Sequence, residues 1–155
     1  MSETRGVEIG DLHQFRFPSR PTLDSEGVRL LYVVQQAEPE KNRYTSEIRL
    51  ARLDDSGQAD EIRLTRGEGD AEPLWLDDGR VLFRSARDLD RSDEKARRSS
   101  AYYVISPDGG EAAPWFTIPR PVTWIRQLSP TRFLVLTRWD PTAGEEREEH
   151  ETPVH

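Results

Sequence analysis

The residues that could most readily bind a metal stand near the end of the chain, in the stretch HETPVH. Two histidines that bind zinc from one helix are four positions apart, but His150 and His155 are five apart and Pro153 interrupts any helix between them. An acidic run precedes and overlaps this stretch: Glu145, Glu146, Glu148, Glu149 and Glu151. Such a run could hold a cation weakly, yet it is more typical of a solvated tail. We therefore expect residues 140–155 to form a disordered acidic tail without a metal.

Nucleophilic chemistry has no recognisable motif in these 155 residues. There is no Gly-x-Ser-x-Gly turn to expose a serine nucleophile, and no Gly-rich loop ending in Gly-Lys to cradle a phosphate. The absence of cysteine excludes thiolate nucleophiles, disulfides and cysteine zinc sites. His13 stands alone, so we expect a surface or packing role for it. The sequence predicts no catalytic residue, no cofactor and no metal.

The stretch AEPLWLDDGRVLFRSAR, residues 71–87, offers an aromatic ring and two adjacent carboxylates. Trp75 could be a ligand platform, and Asp77 with Asp78 could be an acid pair. Asp-Gly is also the usual sequence of a tight hairpin turn, where Gly79 would take a positive φ and the aspartate would cap local amides. We interpret the aspartates as a turn and Trp75 as packing between sheets.

Charge and composition restrict the classes of partner. The net charge is −7, with 20 Arg and 2 Lys, and this acidity argues against binding nucleic acid or an anionic membrane. No apolar stretch approaches the roughly 20 residues that span a bilayer, and the N-terminus lacks the pattern of a signal peptide. The expectation is a soluble, cytoplasmic protein.

Short apolar runs separated by turn residues make up the rest of the chain. They are Val28–Val34, Ile48–Leu53, Ile62–Leu64, Val81–Phe83, Tyr102–Ile105, Val122–Ile125 and Phe133–Leu136. Each has the length and composition of a β-strand, so the sequence predicts an all-β fold. Two polar spacers, residues 35–47 and 85–100, are predicted to be long loops. The charged part of the second, Arg87–Ser100, could face a protein partner or be a plain solvated connection.

A repeat of about 52 residues relates these runs. The matching pairs are Pro21 with Pro73, Gly27 with Gly79, Leu53 with Ile105, Thr65 with Thr117, Leu76 with Leu128, and Arg80 with Arg132. Four short strands in a unit of about 50 residues are the sequence mark of a β-propeller blade. We therefore predict a partial β-propeller of about two and a half four-stranded blades.

The predicted domain organisation follows from this period. Residues 1–20 are an N-terminal lead-in, and residues 21–139 form an incomplete propeller with blades at 21–65 and 71–117 and a half-blade at 122–137. The segment Leu12–Phe17 is expected to pair with a strand that the sequence does not identify. The residues predicted to carry the structural motif are Pro21, Gly27, Thr65, Pro73, Trp75, Asp78, Gly79, Asp108, Gly109 and Thr117.

The order LTRGEGDAEPLWLDDGRVLFRSAR resembles the WD40-like propeller repeat that runs Leu-Thr, spacer, Pro-x-Trp, Ser-Pro-Asp-Gly, apolar strand. The periplasmic Tol propeller shares this repeat with the N-terminal propeller of the prolyl oligopeptidase family of serine peptidases. The stretch AYYVISPDGGEAAPWFT is similar to the turn of the peptidase group, which includes acylaminoacyl peptidases and dipeptidyl aminopeptidases. The chain departs from the pattern at residues 76–78, where Leu-Asp-Asp replaces Ser-Pro-Asp.

This resemblance implies a non-catalytic propeller portion, which in the whole enzyme caps an α/β-hydrolase domain and gates the access of peptides. Two and a half blades cannot close a ring. The implied partners are therefore the missing remainder of the propeller and the hydrolase domain, or a second copy bound through open strand edges. Two alternatives stay open: a stand-alone propeller-repeat scaffold for protein interaction, and a Tol-type propeller with an export signal.

Overall fold

Ten antiparallel strands in three sheets form the fold in the computed structural model, which describes residues 6, 8–54, 59–66, 69–90 and 92–138. The first sheet contains β1 (Arg16–Leu23), β2 (Arg29–Glu38), β3 (Arg43–Leu53) and β4 (Ala59–Arg63). The second contains β5 (Ala71–Trp75), β6 (Val81–Ser85), β7 (Ser100–Ile105) and β8 (Ala113–Ile118), and the third β9 (Val122–Ser129) and β10 (Arg132–Thr137). The prediction of an all-β fold is confirmed. The predicted tail, with His150 and His155, lies outside the described residues.

Strands that follow each other along the chain are neighbours in every sheet. Tight turns make this possible, because Gly27 and Gly79 have φ angles of 74° and 82° in the hairpins that join β1 to β2 and β5 to β6. These angles are unfavourable for residues that carry a Cβ atom. The amide of Gly79 donates to the carbonyl of Leu76 over 2.9 Å, which closes the second turn.

The predicted loop at residues 35–47 is wrong. β2 and β3 continue through it in register, from Gln35 opposite Ser46 to Glu38 opposite Arg43, and a 3-10 turn at Pro39–Lys41 joins them. Backbone pairing needs no apolar side chains, so polar strands can extend a hairpin beyond the core. The Glu38 carboxylate strengthens the hairpin end, since Arg43 Nε lies 2.9 Å from it.

The second polar spacer contains a short helix, α1 (Glu94–Arg98). The Asp93 carboxylate accepts a hydrogen bond from the Lys95 amide over 2.9 Å and so caps the first turn. None of the residues of α1 is buried. Capping and charge, not burial, therefore account for this helix.

The first sheet begins at Arg16, ahead of the predicted boundary at residue 20. Arg16 pairs with Gln36 and Phe17 with Gln35, so the strand that the sequence left unidentified is the polar extension of β2. A 3-10 helix at Ile9–Gln14 precedes it. No helix within the described ranges is long and apolar enough to cross a bilayer.

The three sheets pack face to face, with the second between the other two. Alternate residues of its strands point to opposite faces. One face joins the first sheet in a core cluster of Leu31, Val33, Ile48, Leu50, Leu64, Val81, Phe83, Ala101, Tyr103 and Ile105. The other joins the third sheet in a cluster of Leu76, Leu82, Tyr102, Val122 and Ile125. The central strands β6 and β7 are consequently buried on both sides.

Candidate functional site

Hydrogen bonds between successive sheets recur at positions one repeat apart. Trp75 Nε1 donates to the carbonyl of Thr22 over 3.3 Å and joins the second sheet to the first. Gln127 is 52 residues after Trp75, and its Oε1 accepts from the Asp77 amide over 2.8 Å, which joins the third sheet to the second. The same position in each unit therefore makes a hydrogen bond to the backbone of the preceding sheet, although the side chain and its partner differ between units.

A second pair of contacts follows the same rule. The Asp70 amide donates to the Ser46 carbonyl over 3.2 Å. The Val122 amide, again 52 residues on, donates to Ser100 Oγ over 3.0 Å. In both cases the residue at the entry to the first strand of a unit binds the serine near the start of the third strand of the unit before.

The first strands of the sheets share a backbone irregularity. Arg20 and Glu72 have φ angles of 55° and 54°, each just before a proline, and each coincides with a register shift in its strand. The left-handed region costs a residue with a Cβ atom about 1–2 kcal/mol. Both residues line a depression of about 260 Å³, together with Thr123 and Trp124 of β9. This depression is the place where the first strands of all three sheets meet.

The polar groups beside this depression are incompletely paired. Glu72 Oε1 accepts from Arg84 Nη2 over 3.0 Å, whereas Oε2 is buried without a hydrogen-bond partner. The Tyr102 hydroxyl is also buried without a partner, and burial raises its pKa to about 12.

A larger cleft, of about 1120 Å³, runs beside β4 and the turn that joins β7 to β8. Its charged lining residues are Arg43, Arg63, Arg66, Arg87, Asp108 and Glu111. Arg63 Nε lies 2.6 Å from Glu47, and Asp108 reaches Arg52 of the first sheet over 3.3 Å. Arg43 and Arg87 are also engaged in ion pairs, with Glu38 and Asp70, so four of the six charged groups that line the cleft have a partner of opposite charge.

A buried ion pair lies at the inner wall of this cleft. Arg87 Nη2 lies 2.9 Å from each carboxylate oxygen of Asp70, which is fully buried. The guanidinium also lies 5.3 and 5.0 Å from the ring centres of Phe83 and Tyr103. The Tyr103 hydroxyl donates to Asp88 over 2.6 Å. Sequence reasoning missed this network, because nothing local distinguishes Asp70 and Arg87 from other charged residues.

The residues of the predicted motif are spread over turns and sheet contacts. The Arg29 guanidinium lies 4.6 Å from the centre of the Trp75 ring, and Trp75 packs against the first core cluster. Asp78 is exposed and accepts from the Arg80 amide over 3.0 Å, as a turn aspartate would. Pro21 and Pro73 follow the two irregular residues of β1 and β5, and Asp108 and Gly109 lie in the turn after β7.

Thr65 and Thr117 match in sequence but occupy different environments. Thr65 is buried after the end of β4, and its Oγ1 accepts from the Ile48 amide over 3.0 Å. Thr117 is exposed within β8. His13 is exposed in the N-terminal 3-10 helix, beside Phe17 and Tyr44. Within the described part of the chain, no group of three or more His, Asp or Glu residues could hold a metal ion.

Stability should depend on alkaline pH through the buried tyrosines. Burial and then the hydrogen bond to Asp88 raise the pKa of Tyr103 from 10.0 to about 12. The unfolded chain therefore releases this proton at lower pH than the folded chain, and the free energy of unfolding should fall as the pH rises from about 10 to 12. The pKa values of Tyr102 and Tyr32 are raised as well. Because three tyrosines contribute, Tyr103→Phe should remove about a third of this fall in the free energy of unfolding. Urea unfolding between pH 8 and 11.5 checks this, and an unchanged slope in the variant would contradict it.

Comparison with known proteins finds a curated relative. A curated protein of Bacillus subtilis (strain 168), described as the uncharacterized peptidase YuxL, is 34% identical to this chain over 101 residues. The match covers 64% of this chain and 14% of the length of that protein. No family model matches the sequence. The chain is thus similar to a small part of a peptidase.

Proposed function

We propose that the three sheets are successive blades of a β-propeller: residues 21–65 and 71–117, preceded by the start of β1, and the half-blade 122–137. The observation that carries this proposal is the recurrence of contacts between sheets at a spacing of 52 residues, at Trp75 and Gln127. A repeated unit that binds its predecessor in the same way generates a regular stack. Twisted sheets stacked in this way form a ring of about four to eight blades.

We further propose that the chain is a non-catalytic propeller portion of a cytoplasmic serine peptidase of the prolyl oligopeptidase type. Two observations support it: the repeat resembles that of acylaminoacyl and dipeptidyl aminopeptidases, and the curated relative is described as a peptidase of which the match covers 14%. In the whole enzyme this portion caps an α/β-hydrolase domain and gates the access of peptides. The depression formed by Arg20, Glu72 and Trp124 then lies nearest the ring axis, where peptides would pass.

An activity assay tests the non-catalytic role. The purified chain, incubated with aminoacyl nitroanilides and acyl-peptides, should give no hydrolysis above buffer, because it has no Gly-x-Ser-x-Gly elbow. A prolyl-oligopeptidase-type enzyme on the same substrates is the positive control. Turnover by the purified chain that survives re-purification would contradict the proposal.

A stand-alone scaffold for protein interaction is the second candidate, and the large apolar side chains exposed on β9 and β10 favour it. The DNA beyond codon 155 separates the two. A frame that encodes Gly-x-Ser-x-Gly supports the peptidase, and a frame that ends without it supports the scaffold.

A further inference from the structure

The depression between the first strands brings together three residues that occupy equivalent positions in the repeat. Arg20, Glu72 and Trp124 follow one another at intervals of 52 residues, and all three line the depression. The next position keeps a proline in the first two units, whereas these three residues differ in chemistry. The repeat thus places a guanidinium, a carboxylate and an indole around one space.

The backbone directs two of these side chains at an energetic cost. The register of β1 shifts around Arg20 and that of β5 around Glu72, so neither residue follows the regular alternation of its strand. Both have a positive φ angle, which residues other than glycine rarely adopt. Bulges of this kind re-aim side chains beside binding sites, and a strained residue that is not glycine points to a function of its side chain.

The uncompensated charge of the depression belongs to Arg20. Its side chain is exposed and has no ion-pair or hydrogen-bond partner among the described residues. Glu72 instead accepts a hydrogen bond from Arg84 over 3.0 Å, which balances its charge. No further charged residue in the described part of the chain lines the depression. An anionic group is therefore favoured over a cationic one, and a guanidinium binds a carboxylate through two parallel hydrogen bonds.

The remaining wall of the depression is largely apolar. Trp124 is 46% exposed there, beside Leu74 and Ile125. The volume of about 260 Å³ lies below the range of roughly 300–1,000 Å³ that accommodates drug-sized ligands. It suits one residue of a peptide with a single chain leaving it. A C-terminal residue meets both demands, because its carboxylate and its side chain are attached to the same carbon atom.

We propose that this depression binds the C-terminal residue of a peptide. Arg20 pairs with the terminal carboxylate, and Trp124 contacts an apolar or aromatic side chain. The amino end of the bound peptide stays free. The choice of a peptide as the ligand rests on the function proposed above, whereas the site itself consists of residues from the three sheets of this chain.

Nuclear magnetic resonance of the 155-residue chain, titrated with acetyl-Ala-Ala-Phe, tests the site. The indole N–H resonance of Trp124, identified by its loss in Trp124→Phe, should shift with a millimolar dissociation constant. The C-terminal amide of the same peptide should bind at least about tenfold more weakly, because it lacks the charge. Acetyl-Ala-Asp-Ala amide carries its carboxylate on an internal side chain and should bind as weakly as that amide.

Substitutions of Arg20 separate binding from folding. Arg20→Gln should weaken binding of the free acid at least about tenfold. Arg80→Gln is the matched control, because Arg80 also lies near an indole, 5.7 Å from the Trp115 ring centre, but binds Asp78 outside the depression. It should leave the affinity unchanged. Arg20→Gly should also lose binding while its urea midpoint stays the same or rises, because glycine tolerates the positive φ angle.

Three results would overturn the proposal: no shift at Trp124 with the free acid, an unchanged affinity in Arg20→Gln, or equal binding of acid and amide. Tighter binding of the internal aspartate peptide would do so as well, since the ligand would then be an acidic side chain. None of these results touches the proposed non-catalytic role. Hydrolysis of the nitroanilides would contradict that role and leave the peptide site intact, so the two failures are distinguishable.

Discussion

Replacing Asp70 by asparagine should lower the free energy of unfolding by about 3 kcal/mol. The substitution leaves the Arg87 guanidinium without its carboxylate at the inner wall of the cleft, where Asp70 is fully buried. Removing one partner of a buried ion pair costs about 3–5 kcal/mol, and the lower end applies because the Arg87 side chain is 26% exposed and regains some solvation. Urea denaturation followed by tryptophan fluorescence measures the change.

The matched control is an exposed ion pair. Glu94 lies 3.1 Å from Arg98 on α1, with both side chains more than half exposed. Glu94→Gln should lower the free energy of unfolding by at most about 0.5 kcal/mol, because solvent screens the pair. Equal losses for Asp70→Asn and Glu94→Gln would contradict the importance of the buried network.

Of the apolar substitutions, Phe83→Ala should lower the free energy of unfolding the most, by about 3–5 kcal/mol. Phe83 is fully buried on β6, between the first and second sheets, and its ring centre lies 5.9 Å from that of Tyr103. Truncation leaves a cavity in the first core cluster and removes the ring that faces Arg87. The two sheets should therefore become less tightly bound to each other, which thermal and urea unfolding would both record.

Phe17 provides the comparison for this substitution. It is 52% exposed on β1, so Phe17→Ala removes the same atoms without opening a large cavity. Phe17→Ala should therefore lower the free energy of unfolding by less than about 1 kcal/mol. A loss for Phe83→Ala as small as this would show that the stack does not depend on the contact between the first and second sheets.

Local patterns predicted most of the strands and the turns between them. Val81–Phe83 and Tyr102–Ile105 are apolar at every position, and both form central strands buried on two faces. The turn at Gly79 was predictable because a positive φ angle is a property of a single residue. The prediction is wrong at residues 35–47, where a mostly polar stretch indicates a loop but the backbone pairing of β2 and β3 continues.

The candidate site could be predicted only in part. Trp75 was predicted to pack between sheets, and its hydrogen bond to Thr22 and its contact with Arg29 agree with that interpretation. The pairing of Asp70 with Arg87 could not be predicted, since the two residues are 17 positions apart and meet only because β5 and β6 lie side by side.

The sequence by itself determined most of the strands, their spacing and the repeat of about 52 residues, because apolar runs and glycine turns act over a few residues. The tertiary structure alone decided which faces are covered. Leu82 and Leu134 are equivalent in sequence, yet one is fully buried and the other is 51% exposed. Burial depends on what stands opposite a side chain, and a second or third sheet brings that surface from distant parts of the chain.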